Sequence, residues 1–326
     1  MDEAHQGSWM ATGLGRLKRY EGNPILAPRD FPDAEMVFNC GQTMYKGKTI
    51  LLVAIVLSTD PLPRVHVAES EDGIHFRIRP EPFITQSKVP HLKDHDLWPI
   101  DTRVTYFPSE EVYYILRPGQ SHSGVTTILG KTRDFQTYED VEMIALPNNR
   151  VPCLFPEKIG GLYARLDRPY SFSYDVSAIN QLGHIWISYS PDLIYWGRPR
   201  LVMRPWTHWN GTKIGPTPPI KTKEGWLEII HGVKGGNGPG MRYSLGAALL
   251  DLADPSKVIG HAKSPIMVPE TEYEFRRHVP NVLFTCGAIA DFEQDRLRVY
   301  YGAADTCIGL ATGSISEIIE LCKKGL

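Results

Sequence analysis

The sequence predicts an all-β fold, a five-bladed β-propeller closed by a short C-terminal helix. Three observations carry this reading. Short runs rich in β-branched and aromatic residues follow one another along the 326 residues, separated by turn residues. A Ser/Thr-x-Asp turn followed by an aromatic occurs three times: Ser70-Glu71-Asp72-Gly73-Ile74-His75-Phe76, Thr132-Arg133-Asp134-Phe135-Gln136-Thr137-Tyr138 and Ser190-Pro191-Asp192-Leu193-Ile194-Tyr195-Trp196. The copies lie about 60 residues apart, near the length of one four-stranded blade, so five such units fill the chain. Helical periodicity is clear only at the C-terminus.

Taken in order, residues 1–19 have no apolar centre, so they form no signal peptide and read as a floppy or docking arm. Asn23-Pro24-Ile25-Leu26-Ala27-Pro28 is extended and bounded by proline. Strands follow at 36–45 and 49–57, joined by the turn Lys46-Gly47-Lys48, and at 64–69. In Trp98-Pro99-Ile100-Asp101-Thr102-Arg103, Pro99 holds Trp98 extended, and Val104 to Phe107 then continue as a β-run. Further strands are expected at 112–116, 124–129, 162–166, 184–189, 226–233, 245–252 and 297–301. Residues 314–325 form the helix. Ser314-Ile315-Ser316-Glu317 is a capping box, Ile315, Ile318, Ile319 and Cys322 make an apolar stripe, and Lys323-Lys324-Gly325 ends it. The whole, 1–326, reads as one catalytic domain.

Composition excludes several classes. The net charge of −2 suits neither nucleic acid nor an anionic membrane surface. No apolar run approaches the ~20 residues that span a bilayer. The five cysteines are odd in number and scattered, which points to buried thiols in a reducing, cytoplasmic setting and away from zinc. His91, Asp94, His95 and Asp96 cluster, but with Lys93 among them they read as a solvated polar loop, so no metal is expected. There is no Gly-x-Ser-x-Gly elbow.

Two regions could carry chemistry. Asp101 and Arg103 are two apart at a predicted strand start, hence on one face. They form either an ion pair that closes a sheet end or a catalytic acid beside a fixed cation. Downstream, Arg150, Arg165 and Arg168 fall in one hairpin-like unit turned by Gly160-Gly161, followed by Lys213, His231, Arg242 and Tyr243. Cations at strand ends build either an anion pocket or structural ion pairs. Gly235-Gly236-Asn237-Gly238-Pro239-Gly240 lacks the Gly-Lys-Ser/Thr ending of a P-loop and reads as a flexible loop at the mouth of a site.

Asn23-Pro24-Ile25-Leu26, Val37-Phe38-Asn39, Val67 to Gly73, Asp101-Thr102-Arg103, Leu154-Phe155-Pro156-Glu157-Lys158 with Asp167-Arg168-Pro169, Ala247 to Leu252, and Tyr301-Gly302-Ala303-Ala304-Asp305 are specific in combination. Over nearly its whole length the chain resembles glycoside hydrolase family 130, the inverting β-mannoside phosphorylases, whose fold is a five-bladed propeller. Two stretches depart from the family pattern. Ile100-Asp101-Thr102-Arg103 stands where Glu-Asp-Pro-Arg is usual, and Ile55-Val56-Leu57 where Arg-Val-Glu is common. The resemblance implies that Asp101 is the general acid, in part of the family through a sugar hydroxyl. It implies that Arg150, Arg168, Lys213, His231 and Tyr243 bind phosphate and that Asn39, Arg103, Asp167 and Asp305 hold mannose. The expected partners are a β-mannoside oligosaccharide and inorganic phosphate as co-substrate, with no other cofactor, no nucleic acid and no membrane. A homo-oligomer stays open. So do two alternatives, an inverting β-mannosidase on the same fold and a non-catalytic carbohydrate-binding propeller.

Overall fold

The computed structural model describes residues 16–172, 181–206, 209–235, 240–276 and 278–325. Five antiparallel sheets succeed one another along the chain. The first blade comprises Ala34–Tyr45, Lys48–Leu57, Asp60–Ser70 and Arg77–Ile84. The second comprises Arg103–Phe107, Val112–Ser121, Gly124–Thr132 and Glu139–Ala145. The third comprises Cys153–Leu154, Tyr163–Asp167, Ile185–Ser190 and Gly197–Met203. The fourth is built on Lys213–Gly215, Trp226–Lys234, Arg242–Leu250 and Val258–His261. The hairpin Tyr170–Phe172 and Gln181–Gly183 joins its inner edge, where Gly183 pairs in parallel with Lys213.

The fifth blade uses both ends of the chain. Leu283–Thr285, Arg296–Ala303 and Cys307–Ser314 are completed by Lys18–Arg19, with Lys18 opposite Thr312. The last residues of the predicted N-terminal arm are therefore an outer strand of this blade, with Leu17 buried in its core. Residues 1–15 lie outside the described residues. Closure of this kind leaves no inner sheet edge open to another chain.

The repeated turn has a physical basis. In the first copy, Ser70 Oγ accepts from Gly73 N, and Asp72 Oδ1 accepts from Ile74 N and His75 N at 2.8 and 2.9 Å. Asp134 and Asp192 cap their turns in the same way. Each turn joins the third strand of a blade to the fourth. The aromatic that follows seals the gap to the preceding blade. Phe76 packs edge-on to Tyr300 of the fifth blade, and Tyr138 edge-on to Phe83 of the first.

The outer strands Arg77–Ile84, Glu139–Ala145 and Gly197–Met203 were not expected from sequence. Their mixed burial leaves charged residues where an apolar run would signal a strand. The C-terminal helix spans Ile315–Lys323, with Glu317 N donating to the Ser314 cap at 3.1 Å. Its stripe, Ile315, Ile318, Ile319 and Cys322, is buried against the fourth and fifth blades. Two short helices, Pro90–Lys93 and Glu272–Phe275, were not anticipated. The first corrects the reading of residues 91–96 as a solvated loop. Asp96 is fully buried, accepting from Arg117 Nη2 at 2.8 Å and from Ser87 N at 2.7 Å. All five cysteines are buried, and none is in a disulfide.

Candidate active site

One cavity of about 490 Å³ gathers residues from every blade. Of the ten site residues predicted from sequence, eight line it: Asn39, Asp101, Arg150, Arg168, Lys213, His231, Tyr243 and Asp305. Arg103 and Asp167 do not.

Its carboxyl side is made by backbone irregularities. A register shift between Phe38 and Cys40 is a bulge at Asn39, which turns that side chain inward. Gly302 makes room for it, since a Cβ there would lie 2.1 Å from Asn39 Oδ1. Asn39, Asp101, Ala304 and Asp305 all have positive φ, between 41° and 53°. Non-glycine residues persist there only where their surroundings over-determine them, and such strain concentrates at functional sites. Asn39 Nδ2 donates to Asp101 Oδ1 at 2.9 Å and to Asp305 Oδ1 at 3.5 Å. The two carboxyls thus share one amide. Burial, and then the charge of Asp101, push the Asp305 carboxyl up to about 6.

The opposite side is cationic and comes from the third and fourth blades. Arg150 bridges the two sides, with Nη2 3.1 Å from Asp101 Oδ2. Burial opposes its charge, but Asp101 keeps it firmly protonated. Arg168 is buried and has no carboxylate partner among the described residues. It donates to Tyr170 Oη at 2.9 Å and lies 3.4 Å from His231 Nε2. Lys213 Nζ sits 5.4 Å from the Tyr243 ring centre. Burial, Arg168 and Arg150 lower the Lys213 ammonium to about 7. The same surroundings push His231 well below its ordinary value. His231 was expected to be a cation, and here burial and the neighbouring Arg168, Arg103, Lys213 and Arg150 hold it as a neutral imidazole. A Cβ on Gly215 would lie 2.2 Å from its ring, so glycine at 215 admits the histidine. Burial pushes the Tyr243 phenol up to about 12, so it is a neutral hydrogen-bond donor.

Two residues expected to hold mannose are placed elsewhere. The strand begins at Arg103, and Asp101 precedes it with φ of 53°, so the alternation that would put both on one face does not apply. Arg103 points away from the Asp101 carboxylate, donating to Pro216 O at 2.6 Å and to the Asp101 carbonyl at 3.2 Å. Asp167 lies behind the cavity, bound by Arg165 Nε, Asn149 Nδ2 and Ser188 Oγ. Asn149 Oδ1 in turn accepts from Arg168 N, so Asp167 supports the cationic side from one residue away.

The lining also includes residues not predicted: Asn148, Tyr170, Phe284 and the apolar Val125, Met241, Val279 and Val282. Asn148 and Tyr170 flank the unit that carries Arg150, Arg165 and Arg168. Phe284 lies in a three-residue strand that shows no periodicity. Residues 236–239 of the glycine-rich loop lie outside the described residues. Ile100 and Val56, from the two stretches that depart from the family pattern, pack into one apolar cluster with Phe38 and Ala54.

A family profile described as beta-1,4-mannooligosaccharide phosphorylase matches residues 14–324. The chain is 32% identical to the beta-1,4-mannooligosaccharide phosphorylase of Ruminococcus albus, over 94% of this chain and 90% of that one. It is 33% identical to the beta-1,2-mannobiose phosphorylase of Listeria innocua, over 93% and 98%. A solved structure of the Listeria innocua beta-1,2-mannobiose phosphorylase, in complex with beta-1,2-mannobiose, superposes with a TM-score of 0.81 at 30% identity, covering 94% of this chain and 99% of that one. The chain belongs to glycoside hydrolase family 130, and its five-bladed propeller matches the fold of that family's solved structure.

Proposed function

We propose that the protein is a β-mannoside phosphorylase that transfers a terminal β-mannosyl residue reversibly to inorganic phosphate, with inversion, giving α-mannose 1-phosphate. The observation that carries this is the buried Arg168, beside Arg150 and Lys213, facing a cavity whose carboxyls lie on the other side. A buried charge without a partner is costly, so such a wall calls for an anion. Phosphate supplies one.

In the forward direction a phosphate oxygen forms the bond to the anomeric carbon while the bond to the glycosidic oxygen breaks. The leaving oxygen takes a proton from the carboxyl side, directly or through a sugar hydroxyl. Asp101 is the donor in this reading, since it is the carboxyl that touches both Asn39 and Arg150 and so meets sugar and phosphate. Arg150, Arg168 and Lys213 orient the nucleophile and balance its charge. His231 and Tyr243 add neutral polar contacts.

The hydrolase alternative is disfavoured by geometry. An inverting hydrolase sets a base carboxylate ~6.5–9.5 Å from the acid to activate water. Asp101 and Asp305 instead reach the same amide nitrogen, on one side of the cavity. A non-catalytic sugar-binding propeller would need neither the carboxyl pair nor the cations. The relatives differ in linkage: one is named for β-1,4-linked and one for β-1,2-linked mannosides, and that of Bacteroides fragilis, 28% identical, for 4-O-beta-D-mannosyl-D-glucose. What they share is mannosyl transfer to phosphate, and that is what is carried over here. No cofactor besides phosphate is required by the chemistry. The buried cysteines, none in a disulfide, suit the cytoplasm.

The test runs the reaction backwards. Incubated with α-mannose 1-phosphate and a panel of mannose, glucose and manno-oligosaccharide acceptors, the protein should release inorganic phosphate with at least one of them. Release with none, while β-mannosides are cleaved to free mannose, would overturn the proposal.

A further inference from the structure

Arg103 is completely buried, yet it does not line the cavity. Its contacts tie four blades together at the centre of the ring. It opens the inner strand of the second blade. Nη1 donates to Pro216 O, just after the inner strand of the fourth blade, and lies 3.8 Å from Cys153 Sγ of the third. Its guanidinium carbon lies 5.2 Å from the ring centre of Phe284 in the fifth, and Phe284 is itself part of the cavity wall. Nε donates to the carbonyl of Asp101, two residues back. Thr102 between them is fixed as well, accepting from Gly41 N of the first blade and donating to Leu52 O. Burial opposes the charge on Arg103, but neighbouring groups, Asp101 among them, keep it protonated.

Asp101 needs such a hold. Its φ of 53° is one that L-residues avoid, and the preceding Trp98-Pro99-Ile100 is irregular backbone. The carboxylate is held by Asn39 and Arg150, both inside the cavity and both free to exchange partners when sugar and phosphate arrive. Among the described residues, the hydrogen bond to the Asp101 carbonyl comes from Arg103, outside the cavity and out of reach of substrate.

We propose that Arg103 is a positioning residue, which fixes the main chain of Asp101 from beneath the cavity and so aims its carboxyl at the reacting sugar. This rests on the reading of Asp101 as proton donor. A positioning residue acts on turnover more than on binding, because a small displacement of the reacting group costs rate.

Three variants test it: Arg103→Met, Arg103→Lys and, in parallel, Asp101→Asn, each checked for folding by circular dichroism. In Arg103→Met, kcat for phosphorolysis should fall roughly ten- to a hundredfold. KM for phosphate and for mannoside should stay within about threefold, and the pH profile of kcat should shift. Arg103→Lys keeps the charge and one donor and should recover part of the loss. If Arg103→Met does not fold, Arg103→Lys decides by the same split between kcat and KM. A raised KM for mannoside with kcat intact would overturn the proposal and make Arg103 a sugar contact. Folded variants with normal kcat and pH profile would overturn it too. Normal turnover in Asp101→Asn would instead remove the donor assignment on which it rests, an outcome separate from the behaviour of Arg103.

Discussion

The two sides of the cavity are built on opposite principles. On the side of Asn39, Asp101 and Asp305, every carboxyl has a hydrogen-bond donor within reach, and strained backbone is spent on aiming them. On the side of Arg168, Lys213 and His231, like charges and an imidazole crowd together. Burial and the neighbouring cations lower Lys213 to about 7 and push His231 well below its ordinary value. The carboxylates of one side have their donors within the protein, whereas the buried Arg168 of the other has no carboxylate partner among the described residues. That difference separates a phosphorylase from a hydrolase, which needs only water beside its carboxylates.

The contrast can be broken first at Asp101. Asp101→Asn keeps the shape and removes the proton, so cleavage of an unactivated mannoside should fall ~10²–10⁴-fold. Near-normal rates would make Asp101 structural.

Asp305 offers a test on stability. Its folded pKa, about 6, lies above the ordinary carboxylate value, so the folded protein binds more protons there than the unfolded chain. Stability should therefore be highest below the unfolded value near 4 and fall as pH rises to about 6. Asp305→Asn should flatten this slope and raise stability at pH 7 by on the order of 1–2 kcal/mol, less than the full shift because Asp305 is only half-buried. Denaturant melts across pH 4–7 read both effects.

On the cationic side, Arg168→Ala removes charge-assisted hydrogen bonds worth about 1.5–3 kcal/mol each, so KM for phosphate should rise roughly ten- to a hundredfold. KM for mannoside should change much less. An equal rise in both would mean that Arg168 holds the sugar.

The smallest effect is expected at Lys213. Sulfate, which does not titrate in this range, should bind roughly tenfold more weakly at pH 8.5 than at pH 6, as Lys213 loses its proton. In Lys213→Met that dependence should shrink to the part left by the Asp305 carboxyl, which titrates at about 6 in the same cavity. Calorimetric titration at several pH values decides.

Much of this was legible in the sequence, and for stated reasons. The Ser/Thr-x-Asp turns could be read because each is a local hydrogen-bonded unit, complete within six residues. The cations could be read because Arg150, Arg168 and Lys213 cluster near glycines and strand ends. The orientation of Arg103 could not. It depends on the left-handed turn at Asp101, which breaks the alternation assumed for a strand, and on Pro216, more than a hundred residues away. The role of Asp167 was hidden because its partners Asn149 and Ser188 come from different strands and turns. The neutrality of His231 is a property of the assembled fold, set by burial and by four cations from separate parts of the chain.

The most direct test of the central claim follows cleavage of a β-mannoside with and without inorganic phosphate. In phosphate buffer the product should be α-mannose 1-phosphate. In phosphate-free buffer cleavage should nearly cease, and Arg168→Ala should need far more phosphate to restore it. Free mannose formed at the same rate without phosphate, with Arg168→Ala unaffected, would contradict the account and make the protein a mannosidase.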